Sequence, residues 1–253
     1  MVQPRIIPVL LLKNSGLVKT QKFKDPKYLG DPMNAIKIFN EKEVDEMIFL
    51  DILASKEGRN PDLNRIQNIA SECFMPLCYG GGVSDVGLAR EILKIGVEKI
   101  SLNTSAVYNP KFITECADMF GSSSVVVSID VKTNVWGKQL VYIKGGTEKT
   151  KYTPIELALE AERRGAGEIL LNSIDRDGMM NGYDVELFTK VSDSVNLPVI
   201  GCGGAGNDGH FLDVLKTTNV RALAAGSYFV FKGKHKAVLI SYPDQMKIKS
   251  WFN

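Results

Sequence analysis

The chain has 253 residues, 44% of them hydrophobic and 24% charged, a balance that fits a soluble enzyme with one large α/β domain or two small ones. A formal net charge of +2 argues against a dominant nucleic-acid surface. Four cysteines with no paired C-x-x-C and only two histidines argue against a metal site; free thiols suit a reducing cytoplasm, and no cofactor is implied.

The apolar run at residues 6–12 is too short to span a bilayer, and no small-residue cleavage site follows it, so a cytoplasmic protein without a targeting segment or membrane contact is expected. Residues 5–12 read as a buried strand of a parallel sheet. Residues 14–31 read as a long polar loop with several lysines, a length usually functional or mobile. Pro32 opens a helix to about Asn40. Strands follow at 47–51, 76–79 and 99–102, with helices at 61–73, 84–95 and from Pro110. The second half repeats the scheme, with strands at 125–130, 168–173, 198–202 and 221–224, a small hairpin at 138–151, a helix from Pro154 and another at 184–195. Eight β-then-α units predict an α/β fold, a (β/α)8 TIM barrel, as one domain over 1–253 with half-barrels at about 1–120 and 121–253. So regular an alternation disfavours an open doubly wound sheet.

An internal repeat supports the two halves. Pro76 and Pro198, Gly81 and Gly203, Glu46 and Glu168, Lys99 and Arg221, and Ser105 and Ser227 each stand 122 residues apart. Near the first strand the offset is 119, matching Leu11 with Asp130.

Chemistry in such barrels belongs to the strand C-termini, and stability to the N-termini. The C-terminal face carries Asp51, Gly81, Gly82, Asn103, Thr104, Asp130, Ser173, Asp177, Gly178, Gly203, Gly204, Ala225, Gly226 and Ser227. The two glycine-rich turns, each with its neighbour (103–105 and 225–227), read as opposed phosphate cradles, or else as tight turns only. Asp130 between them suits a general acid or base, or else a helix cap. On the opposite face Arg5, Glu46, Lys99 and Glu168 read as a closed ring of alternating charge, or as an ordinary salt-bridge plug. Cys202 lacks an activating base and reads as packing.

The stretches Arg5-Ile6-Ile7, Phe49-Leu50-Asp51-Ile52, Tyr79-Gly80-Gly81-Gly82, Asn103-Thr104, Val127-Ser128-Ile129-Asp130, residues 165–171 and 173–178, Gly203-Gly204-Ala205-Gly206 and Ala222-Leu223-Ala224-Ala225 together resemble the cyclase subunit of imidazole glycerol phosphate synthase, HisF, over about residues 5–231. The resemblance implies a lyase-type barrel working with a glutaminase (HisH-like) subunit. Ammonia released there crosses the barrel to a small molecule phosphorylated at both ends. It implies that Arg5, Glu46, Lys99 and Glu168 form the ammonia gate, that Glu98 faces the glutaminase, that Asp130 is one of two catalytic aspartates, and that Lys19 is a loop lysine reaching the substrate.

One departure is sharp. Where the family's other catalytic aspartate stands, at the end of the first strand, this chain has Leu11. Leucine exchanges no proton. The combination resembles HisF-like paralogues of surface-polysaccharide gene sets, which pair with a glutaminase and a separate sugar amidotransferase to make acetamidino sugars of lipopolysaccharide. Two other readings stand beside it: a true cyclase of histidine biosynthesis relying on Asp130 alone, and a non-catalytic phosphosugar-binding scaffold.

Overall fold

A computed structural model describes residues 4–233, 235 and 237–251; the ends of the expected domain span, 1 and 253, lie outside them. Eight parallel strands close into a barrel. They are β1 (Arg5–Lys13), β2 (Met47–Asp51), β3 (Leu77–Gly80), β4 (Lys99–Leu102), β5 (Val125–Thr133), β6 (Glu168–Ser173), β7 (Val199–Cys202) and β8 (Ala222–Ala225). Closure is made by β1, which pairs with β8 through Arg5 and Ala222 and with β2 through Val9 and Ile48. The chain is therefore the (β/α)8 TIM barrel that its strand spacing predicts.

Seven outer helices follow the first seven strands: α1 (Pro32–Glu41), α2 (Leu63–Glu72), α3 (Val86–Lys94), α4 (Lys111–Phe120), α5 (Pro154–Arg163), α6 (Val185–Ser192) and α7 (Asp208–Thr217). Most start on a side-chain cap: Asp31, Asp62, Asp85, Asp184 and Asn207 each accept from a backbone N–H, and Thr153 forms a reciprocal capping box with Glu156. Such caps satisfy donors that the helix leaves unpaired, at about 1 kcal/mol each. No described helix is long and apolar enough to cross a membrane.

Two apolar layers result. One fills the shell between barrel and helices, with Phe39, Phe112, Phe188 and Phe211 fully buried. The other lies inside the barrel and contains Ile7, Val9, Leu11, Ile48, Cys78, Val126, Leu170, Ile200, Cys202 and Ala224. The two sets alternate along each strand because successive side chains point to opposite faces.

Two expectations need correction. Residues 14–31 are not a loop. Gly16–Gln21 and Lys24–Gly30 form an antiparallel hairpin continuous with β1, with Leu11 opposite Val18. Its outer strand is exposed and lysine-rich, so no hydrophobic alternation marks it, and its turn uses Lys22 and Phe23 at positive φ instead of glycine. The eighth unit also has no long helix directly after its strand. A short helix (Ser227–Val230), a small two-stranded ribbon and a tail helix (Gln245–Ser250) close the gap instead. They are held by Tyr242 stacked on Phe229, Trp251 stacked on Phe211, and the Tyr242 hydroxyl donating to the Ile6 carbonyl at 2.8 Å.

The β7 backbone touches α6 at Gly201, where any Cβ would collide with the Phe188 ring. Gly201→Ala is expected to lower the unfolding free energy by about 1–3 kcal/mol by overpacking. The check is a lower urea midpoint at an unchanged m-value; an unmoved midpoint would mean that the ring gives way freely.

Candidate functional site

The lower end of the barrel is crossed by a ring of four charges. Arg5 (β1) donates to Glu46 and Glu168, and Lys99 (β4) donates to the same two carboxylates at 2.9 and 3.0 Å. Each carboxylate therefore uses one oxygen for each cation. Glu46, just before β2, and Glu168 (β6) are buried; Lys99 and Arg5 keep part of their surface exposed. Burial works against the charge on Arg5 and Lys99, but the two carboxylates outweigh it and raise both pKa values. A groove lined by Leu93, Val97, Glu98, Phe120, Ser123 and Ser124 reaches Lys99 from outside. Glu98 lies in that groove, with one carboxylate oxygen accepting from the Leu77 N–H at 2.9 Å.

Above the ring the bore is two-sided. Ile7, Val9 and Leu11 of β1, with Ile48 and Leu50 of β2 and Ala222 and Ala224 of β8, make one apolar wall. Ser101, Ser128, Asp130 and Asn172 on β4, β5 and β6 line the other. Ser101 Oγ and Asn172 Oδ1 are buried without a hydrogen-bond partner. Burial pushes the Asp130 carboxyl up to about 7; the Asn172 side chain beside it pulls down and the Asp177 charge pushes up. Leu11 stands on β1, the strand diametrically opposite β5 in the barrel order. Burial likewise holds the Cys202 thiol at about 12, which leaves it unreactive, in accord with a packing role.

A cavity opens at the mouth. The first cradle lines it through Gly81, Gly82, Asn103 and Thr104, as do Asp51, Lys19, Asp130 and Asp177. Gly81 and Gly82 have φ of 113° and 76° and sit so close to Asp51, Ala54 and Arg59 that a Cβ would clash. The turn therefore needs glycine for packing whatever it binds. Asp51 caps Leu53 and Ala54 and holds Arg59 with both oxygens, at 3.0 and 2.9 Å. Thr104 Oγ1 accepts from the Lys144 N–H at 3.1 Å, which ties down the hairpin that follows β5.

The second cradle is placed differently. Gly203, Gly204, Ala225, Gly226 and Ser227 do not line the cavity. The Lys19 ammonium lies against Gly226, while Ser227 Oγ is buried without a partner. Asp177 is engaged by the first hairpin: it accepts from Lys19 at 3.2 Å, Thr20 at 2.7 Å and the Phe23 N–H at 3.3 Å. Gly178 packs on the Thr20 carbonyl. Ser173 turns outward toward Asp184, 3.4 Å away. Of the residues expected to hold phosphate, the structure thus gathers the first cradle in the open cavity; of the second, Gly226 lies against Lys19.

A family model described as "Histidine biosynthesis protein" matches residues 5–236. The chain belongs to this family. Within it, the chain is 54% identical to a Pseudomonas aeruginosa protein named "Putative imidazole glycerol phosphate synthase subunit hisF2", over 98% of this chain and 99% of that one. A Vibrio vulnificus protein named "Putative imidazole glycerol phosphate synthase subunit hisF3" is 49% identical, over 98% and 96%. An Alkaliphilus metalliredigens "Imidazole glycerol phosphate synthase subunit HisF" is 43% identical, over 90% and 91%. The chain is accordingly a HisF-type barrel.

In this HisF-type barrel Phe23, Ser55 and Lys56 also line the cavity, and no sequence motif marks them. Phe23 reaches it only because the hairpin folds over the mouth and packs on Gly146 and Ile174.

Asp130 yields a pH-dependent stability. Its folded pKa near 7 lies above the unfolded value of about 3.9. The stability it contributes is full below the unfolded value and is lost as pH rises through the folded one. Relative to Asp130→Asn, the wild type is expected to lose on the order of 4 kcal/mol between about pH 4 and pH 8. Urea titrations of both proteins across that range read the difference; a flat difference would place the carboxyl in contact with water.

Proposed function

We propose that this chain is the barrel subunit of a glutamine amidotransferase complex, taking ammonia from a glutaminase partner at its lower end and delivering it at the mouth for amidation of a sugar, an acetamidino-sugar step of O-antigen or lipopolysaccharide type. One observation carries the reading: a four-charge ring lies below a bore whose mouth keeps Asp130 but has Leu11 on the opposite strand. In this reading Arg5, Glu46, Lys99 and Glu168 gate the entrance. The groove beside Lys99, with Glu98 and Phe120, is the docking edge for the glutaminase. Ammonia is small and neutral, so an apolar bore does not penalise it as it would an ion, and the unpartnered Ser101 Oγ and Asn172 Oδ1 offer it hydrogen bonds on one wall. A sugar amidotransferase at the mouth would take up the product ammonia.

A single acid–base group supports delivery better than ring closure. Ring closure in the histidine pathway needs proton transfers that a second carboxylate would share, and one positioned proton-transfer group typically contributes about 10²–10⁴-fold. The alternative reading, a cyclase of histidine biosynthesis, draws on the 43% identity to proteins carrying that name and on retained Asp130.

Co-purification and glutaminase assays test the main reading: adding this chain should stimulate the partner's glutaminase, and failure to form a complex on a sizing column would overturn it. In the complex, Lys99→Ala should lower glutamine-dependent product several-fold while leaving product from added ammonium salt unchanged. Equal loss of both would argue against a gate. Turnover of a bisphosphate cyclase substrate with ammonium salt should be weak and rise by at least about ten-fold in Leu11→Asp; strong turnover that ignores this change favours the histidine-pathway alternative.

A further inference from the structure

Two hairpins stand on the mouth side of the barrel and touch: Phe23 of the first packs on Gly146 of the second. The second runs from β5 into Gln139–Ile143, with Thr133 opposite Gln139. Its tip carries the two most exposed large apolar side chains among the described residues, Val135 at 90% and Trp136 at 87%. The tip is not slack. Asn134 Oδ1 accepts from the N–H groups of Trp136 and Lys138 at 3.0 and 2.9 Å, and the Asn134 N–H donates to the Lys138 carbonyl at 2.9 Å. Gly137 closes the turn at φ of 79°. A turn so pinned presents its indole already ordered, which lowers the entropy cost of burying it in a partner. Basic residues surround it. Lys138, Lys149 and Lys151 are exposed on the second hairpin and the strand that follows it, and Lys22, Lys24 and Lys27 on the first. The paired lysines of the two hairpins are Lys19, with Asp177, and Lys144, with Glu148; among the described residues none of the six exposed ones has a carboxylate partner. The whole chain carries a formal net charge of only +2, so this excess belongs to the mouth.

We propose that this collar is the docking surface for a second protein, the enzyme that consumes the delivered ammonia, and that it receives an acidic face with an apolar pocket for Trp136. The occupant follows from the charge and from what leaves the mouth. Six unpaired lysines on two hairpins complement carboxylates spread over a wide rim. An ordered aromatic at the tip is the kind of side chain that anchors protein interfaces. A lipid surface is the poorer fit, because only two apolar side chains stand at the tip and a bilayer holds no acceptor. Ammonia that escapes into water takes up a proton and loses the lone pair that reacts, so a delivering mouth needs a protein seal. This deepens the functional reading above, on which it rests, by naming the residues that meet the ammonia-consuming enzyme.

The test uses the full chain, its glutaminase and the purified sugar amidotransferase of the same organism. Calorimetry reads binding of the amidotransferase to the chain. Trp136→Ser should weaken it by at least about ten-fold. Lys24→Glu and Lys138→Glu should each weaken it several-fold, as should raising the salt from about 0.05 to about 0.5 M. Phe74→Ser removes a nearly equally exposed aromatic just before β3, at the opposite end of the barrel, and should leave binding unchanged. With fluorotryptophan in the chain, the fluorine resonance of Trp136 should shift on binding, and that of Trp251, buried against Phe211, should not. In the full complex Trp136→Ser should keep glutaminase stimulation yet release free ammonia in place of amidated sugar. No binding by the wild type, binding indifferent to Trp136→Ser, or recruitment of the chain to phosphatidylglycerol vesicles through Trp136 would overturn the proposal. Melting curves confirm that each variant is folded. The functional reading fails separately, by absent glutaminase stimulation in the wild type.

Discussion

Closure of the sheet is the constraint from which the rest follows. Once β1 pairs with both β8 and β2, every second side chain of eight strands is confined to one cylinder, and none of those residues can reach solvent sideways. Polar groups inside must then find partners across the barrel or at its ends. The strand starts do this with opposite charges, and the middle does it by being largely apolar. Only the mouth leaves polar atoms open.

The charge ring shows what confinement does to electrostatics. Two carboxylates would be costly to bury alone, and two cations likewise; four alternating charges that share every carboxylate oxygen form a neutral unit. Such a unit is all-or-none. Moving one cation leaves two buried carboxylates short of a partner, so the four side chains hold one another in place. Lys99 faces both the ring and the outer groove.

At the mouth the approximate two-fold symmetry breaks. Each half contributes a glycine-rich cradle and an inserted hairpin, but the hairpins differ. The first folds inward, carries Lys19 to Gly226 and is clasped by Asp177. The second is pinned by Thr104 beside the other cradle and leaves it open, with Lys56 crossing to it. The two halves therefore differ at the mouth: Lys19 lies against Gly226 in one, while Gly81 and Gly82 line the open cavity in the other, and the bore between has Asp130 on one wall and Leu11 on the other.

The barrel was legible because its signals are local: Pro-led apolar runs, prolines that open helices and a 122-residue repeat each act within a few residues or between equal copies. The ring was legible as a pairing of strand starts, since the parallel register brings Arg5, Glu46, Lys99 and Glu168 to one level. The first hairpin was not, because its outer strand is solvated on both faces and carries no alternation. Nor could the contacts of Asp177 be read from its place in a polar loop, because Thr20 and Phe23 fold onto it from 150 positions away or more. Such assignments depend on which long-range contacts satisfy each buried or charged group, and those are set by the closed sheet, not by neighbours in the chain.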